Sequence, residues 1–226
     1  MWGLPLVGMT RWHQGYVDAY DDYDYNVLLD IKSFNERRGV LTANETTHYY
    51  WGFANTRESA VQLNVPPGLA VGMIVDMWQE CPTDLGIFGP NGGKGDNLVI
   101  VGPHTPAEAV PEPADGQDVH KIGTDQVYYL MRMLGTPEEV EAAIRKVQIF
   151  NYGDEPKAVK IIDGGDKFVP MYQPRGLAYW QMLHFAINQE VQETGPMRAL
   201  IVTGVTFGVF MTEAIIHYNM GMAKSD

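Results

Sequence analysis

The segment that most constrains this chain is Ala199–Ile216, ALIVTGVTFGVFMTEAII, in which Glu213 is the sole ionisable side chain. Continued to Met222 as a helix, it would reach roughly 36 Å at about 1.5 Å per residue, against a hydrocarbon core of about 30 Å. Its nine Leu, Ile, Val and Phe side chains favour insertion by roughly 3 to 5 kcal/mol, and Glu213 opposes it by about 3 kcal/mol. Gly204 and Gly208 form a GxxxG pair, whose small residues let two helix backbones approach closely in lipid. Glu213 and His217 lie one turn apart near one end, where they can pair or reach the interface. The expectation is a transmembrane helix packing through Gly204, Gly208, Glu213 and His217. Two other readings fit the same residues: a buried core helix or strand pair, and a strand donated to a neighbouring copy to build a filament.

The rest of the chain is of another kind. The 226 residues carry a net charge of -12 with a pI near 4.8, and this acidity belongs to the body upstream of the apolar tail. Such a balance argues against nucleic-acid binding, which relies on Lys and Arg. With 45% hydrophobic and 11% aromatic residues the body can bury a core. The single cysteine, Cys81, excludes an internal disulfide and a thiolate metal cluster. A mean hydropathy of -0.18 averages an acidic domain with an apolar segment. The N-terminus lacks the basic and long apolar regions of a secretory leader, so either the chain starts here or a leader has been removed.

Apolar spacing predicts a helix over residues 2–20, interrupted early by Pro5, then a polar loop at YDDYDYN. β-prone runs follow at 49–53, 60–65, 69–78 and 97–103, with the glycine-rich GPNGGKGDN as a connection and the proline-rich 103–118 as an exposed loop. TDQVYYLMRMLG reads as a helix with Thr124 as cap and Gly135 as stop. TPEEVEAAIRKVQ reads as another, with Thr136 and Glu139 at capping-box positions, and a last one runs from Gly176 to about Val191. Strands in the first half and helices after them give an α+β class.

Seven segments occur in a familiar order: WGLPLVGMTR, LTANETTHYYWGFAN, LNVPPG, VDMW, GDNLVIVGP, IGTDQVYYLMRMLGTPEEVEAA and PRGLAYWQMLH. Over about Trp2 to Glu193 the chain resembles the bacterial domain of unknown function 1254 family. That resemblance implies export, hence a periplasmic body, and a jelly-roll-like β portion, normally followed by a second β domain that this sequence replaces with its apolar segment. The domain plan is therefore 1–198 for the α+β body, 199–222 for the helix and 223–226 for a polar tail. The family's segment T-P-N-x-D-T-x-Y is matched at Thr42, Asn44, Thr47 and Tyr49, but Ala43 and Thr46 replace its proline and aspartate.

Sites are sparse. Asn44, His48, Tyr49 and Asp76 make the candidate cleft, because the first three lie on that shared segment. Asp21, Asp22 and Asp24 are weak ligands for a hard cation, lacking EF-hand spacing. Interleaved with Tyr20, Tyr23 and Tyr25 they read better as an acidic, tyrosine-rich interface. GPNGGKGDN lacks phosphate-loop spacing, the six histidines form no zinc pattern, and no nucleophile elbow occurs. No cofactor is implied. The expected function is a non-catalytic, membrane-anchored accessory subunit, contacting other subunits through the helix and the acidic surface. The alternatives are an exported hydrolase-like or ligand-binding protein with a pocket in the β portion, and the filament subunit.

Overall fold

Side-chain alternation along the strands separates two apolar layers. The computed structural model describes residues 3–32, 46–110, 112, 114–165, 167–170 and 172–190. Among these, ten strands form two sheets and three α-helices flank them. The six-stranded sheet has the order β10 (Lys160–Asp163), β1 (Val27–Ile31), β2 (Tyr49–Asn55), β8 (Gln126–Met133), β4 (Ala70–Asp76), β5 (Thr83–Gly86). The four-stranded sheet has the order β7 (Asp118–Lys121), β6 (Asp96–Val101), β3 (Val61–Val65), β9 (Gln148–Asn151). Pairing is antiparallel except for β1 with β10 and β6 with β7. The α+β class stands.

On β8, Val127, Tyr129, Met131 and Met133 face the second sheet, where they join Leu63, Leu98 and Ile149 in the sandwich core. Tyr128 and Leu130 face the other way, against Trp51 and Phe53 of β2 and the helices. Such period-two sorting belongs to a strand buried on both faces. The helix expected over TDQVYYLMRMLG is therefore corrected: it is β8, a central strand. Thr124 is no helix cap; its hydroxyl accepts from the Met77 N–H at 3.0 Å and donates to the Gln126 carbonyl at 2.7 Å. Gly52, facing the sandwich, permits close approach. A Cβ there would collide with the Val27 carbonyl and the Tyr129 hydroxyl, which hydrogen-bond each other at 2.6 Å.

The helices α1 (Leu4–Ala19) and α3 (Leu177–Glu190) cover the outer face of the six-stranded sheet. Pro5 starts α1 rather than interrupting it, since a first-turn residue needs no amide donor. Leu6, Met9 and Tyr16 are buried beneath it. The helix α2 (Pro137–Ile144) starts at the expected capping box: Glu139 N–H donates to Thr136 Oγ1 at 3.3 Å, and Thr136 N–H donates to the Glu139 carboxylate at 2.8 Å. Beyond the reading of the sequence, strands also form at β1, β5, β7, β9 and β10, so strands continue through the second half of the chain. The glycine-rich connection does link two strands, β5 and β6. The apolar segment, with Gly204, Gly208, Glu213 and His217, lies outside the described residues, and among those described no helix is long and apolar enough to cross a membrane.

His13 of α1 stacks on Tyr25 with ring centroids 4.9 Å apart and touches Phe53. Burial lowers its pKa from 6.5 to about 4, only partly opposed by Asp24. The fold thus holds a neutral imidazole, and the stability this confers above pH 6.5 is lost as pH falls toward 4. In denaturant titrations, His13→Gln is expected to lose less stability than the wild type between pH 7 and pH 4.5, by on the order of 2 kcal/mol. An equal acid loss in both proteins would exclude His13 as the cause.

Candidate functional site

Register places three polar side chains in one row across the edge of the larger sheet. Asp30 of β1 pairs with Asp163 of β10 on one side and with Tyr50 of β2 on the other. Residues directly opposite point to the same face. Leu28, two residues earlier on that face, lies in the sandwich core. At Asp30 the smaller sheet no longer covers it, and α2 closes the space instead. The result is a cavity of about 650 Å³. Its apolar wall is Met133, Val140, Ile144 and Ile161, and its polar groups include Asp30, Lys32, His48, Glu141, Arg145 and Asp163.

Asp30 is the buried member. Its side chain is 15% exposed against 68% for Asp163. Lys32 Nζ bridges the two carboxylates, 2.9 Å from Asp163 and 3.6 Å from Asp30. His48 Nδ1 stands 3.3 Å from Asp30 Oδ1, yet that buried oxygen has no aligned hydrogen-bond donor. Burial raises the Asp30 pKa, with Lys32 and His48 pulling it back. Asp163 moves the opposite way, because it accepts the Lys32 hydrogen bond. The Tyr50 hydroxyl is pushed up to about 12 by burial and by the carboxylates of Asp30 and Glu141. Arg145 pairs with Glu141 at 2.6 Å, one helical turn away. The chemistry available is hydrogen bonding and charge pairing by a partly desolvated carboxylate, with an imidazole beside it.

The candidate cleft expected from sequence is only partly assembled. His48 lines this cavity with Thr46 and Thr47, so the altered family segment borders it. Asn44 lies outside the described residues. Tyr49 does not join His48: as its strand neighbour it faces the helices, with the Arg132 guanidinium 5.4 Å from its ring centre. Asp76 is at the far end of β8, pairing with Val127 where Tyr50 pairs with Met131. Its carboxylate organises a turn by accepting from the Trp78 and Glu80 N–H groups at 2.8 and 2.9 Å.

The acidic, tyrosine-rich surface also needs correction. Tyr20, at the end of α1, and Tyr23, in the loop after it, are buried in the helix-side core with Tyr16, and Tyr25 packs against them half-buried. The carboxylates stay outside: Asp22 is 3.5 Å from Lys160, and Asp24 accepts from the Tyr25 N–H. Asp21, Asp22 and Asp24 line a second cavity of about 620 Å³ together with Lys157 and Lys160. Among the described residues no three His, Cys, Asp or Glu side chains cluster as metal ligands.

A second charged knot was not expected from sequence. Asp125, 1% exposed, accepts from His104 Nδ1 at 2.7 Å, the His104 N–H at 3.1 Å and Arg57 Nε at 2.9 Å. Arg57 also donates to the Gln189 carbonyl, and the Glu190 carboxylate accepts the Asp125 and Gln126 N–H groups at 2.9 and 3.0 Å. Its partners are separated by 21 to 68 residues, so no local pattern announced it. It fastens α3 and two loops to the start of β8.

Residues 26–150, more than half of the chain, match the family described as protein of unknown function (DUF1254). The chain belongs to this family. The matched stretch contains Asp30, His48, Tyr50 and α2, and so most of the cavity. No curated protein matches the sequence. Among solved structures it is similar to the VPA0106 protein of Vibrio parahaemolyticus, at 15% identity over 96% of this chain and 56% of that one, with a TM-score of 0.49. This DUF1254 chain thus spans little more than half of that protein's length.

Asp30 gives a direct test of the site's electrostatics. Because its folded pKa is raised, the fold favours the protonated carboxyl, and that advantage is lost as pH rises through the folded value. Asp30→Asn is therefore expected to raise the melting temperature by a few degrees at pH 7, the gain shrinking as pH falls through the raised folded value toward 3.8, the ordinary value for this residue, and gone below it. A variant less stable than the wild type at pH 7 would show that the charged form is favoured.

Proposed function

We propose that this protein is a small-ligand-binding member of its family, using the cavity between the β10–β1–β2 edge and α2. The observation that carries this reading is Asp30 Oδ1, a buried carboxylate oxygen without an aligned donor at the floor of a cavity of about 650 Å³. That size falls in the range of small-molecule sites, which are mostly apolar with a few placed polar groups. His48 beside it would orient a ligand or exchange a proton with Asp30.

A thermal-shift screen of small organic molecules tests it. A ligand at about 100 times its Kd adds roughly 2.7 kcal/mol of stability. Val140→Trp, on the cavity side of α2, is expected to fill the space, keep the fold and abolish the shift. A shift that survives this substitution would move the site elsewhere.

A second, compatible reading rests on Ala199–Ile216. Its length, apolarity and GxxxG pair support a membrane tether through which the domain serves as an accessory subunit. Gly204→Leu with Gly208→Leu is expected to leave the protein in the membrane fraction but dissociate it from its partner in detergent gel filtration. Recovery of the wild-type protein in the soluble fraction after carbonate wash would remove the tether.

A further inference from the structure

We infer that the cavity selects a ligand carrying an ammonium group on an apolar body, with Asp30 as the receiving carboxylate. This rests on the ligand-binding reading above and adds the chemical class. The first reason is the hydrogen-bond inventory at the floor. Asp30 Oδ1 is buried and has no aligned donor, although His48 Nδ1 lies 3.3 Å away. Lys32 Nζ is closer to Asp163, at 2.9 Å, than to Asp30, at 3.6 Å. An ionised carboxylate accepts only, so the missing partner is a donor. Charge-assisted donors make the stronger bond.

The second reason is the sign of the field. Asp30, Asp163 and Glu141 outnumber Lys32 and Arg145 around the cavity, and both cations already sit against carboxylates, at 2.9 and 2.6 Å. Tyr50 registers the same field, since, after burial, Asp30 and Glu141 both oppose loss of its proton. An anionic ligand would meet two paired cations and an unsatisfied carboxylate. A cation would meet the reverse. The third reason is the apolar lining: Met133 and Ile161 on the sheet and Val140 and Ile144 on α2 offer contact to a hydrocarbon body but nothing to a second charge.

The class also accounts for a group that weakens the fold. A carboxylate whose burial opposes its own ionisation is a local conflict, and such conflicts gather where a site needs them. A bound ammonium would supply the missing donor and the countercharge together.

The experiment is calorimetric titration of the full chain with three ligands of equal chain length: n-hexylammonium, 1-hexanol and hexanoate. The ammonium is expected to bind at least tenfold tighter than the alcohol, and hexanoate not at all. Asp30→Asn should weaken the ammonium at least tenfold while leaving the alcohol within threefold. Glu141→Gln, at the exposed rim of the cavity, should weaken the ammonium about threefold, which keeps the test valid if the Asp30 variant misfolds. Hexanoate binding as tightly as the ammonium, in a manner blocked by Val140→Trp, would overturn the charge assignment and leave the cavity as the site. Ammonium binding unchanged in both charge variants would also overturn it. Failure of all three ligands, together with an empty thermal-shift screen, would overturn the ligand-binding reading beneath it.

Discussion

Pairing of β8 with β2 and β4 is the constraint on which the rest of the structure depends. The strand bonds along its length to both neighbours and supplies side chains to both apolar layers. Tyr129 and Met131 enter the sandwich, while Tyr128 lies under the helices. A shift of one residue would exchange the two sets and place Tyr128 where Gly52 admits only the Tyr129 hydroxyl. The start of β8 is held separately, by Asp125 and Glu190 binding groups from two loops and α3. Registry and anchorage thus meet in one strand.

The cavity is a consequence of that arrangement at its edge. Six strands against four leave part of the larger sheet without a facing sheet. The short helix α2 fills the gap incompletely. Asp30 occupies a position that, two residues earlier on the same face, holds the core residue Leu28. A carboxylate at such a place is desolvated without being sealed. That gives it a raised pKa and an opening to solvent from one architectural cause.

Much of this was legible where the signal was local. The capping box at Thr136 and Glu139 marked α2, and glycine-rich GPNGGKGDN marked a strand connection. The stretch from Thr124 to Gly135 misled because a strand buried on both faces is apolar throughout, and its cap-like ends mimic helix signals. Tyr20 and Tyr23 suggest a surface because acidic residues surround them, whereas the loop after α1 folds both into the helix-side core. His48 was found through the shared segment, while Tyr49 and Asp76 were not its neighbours in space. The pattern VLLDIK did contain a clue, a carboxylate at an inward strand position, but only once β1 is recognised as a strand.

By itself the sequence determined the α+β class, the acidity of the body, the family and the apolar character of residues 199–216. These follow from composition and short-range pattern, which the chain carries without folding. The tertiary structure alone decided that Asp30, His48, Lys32 and Asp163 share one cavity, and that Asp125 gathers His104, Arg57 and Glu190. Both groupings arise from strand order and register. A parallel pairing of β1 with β10 across more than 120 residues is set by packing of the whole sheet, and no local run of residues encodes it.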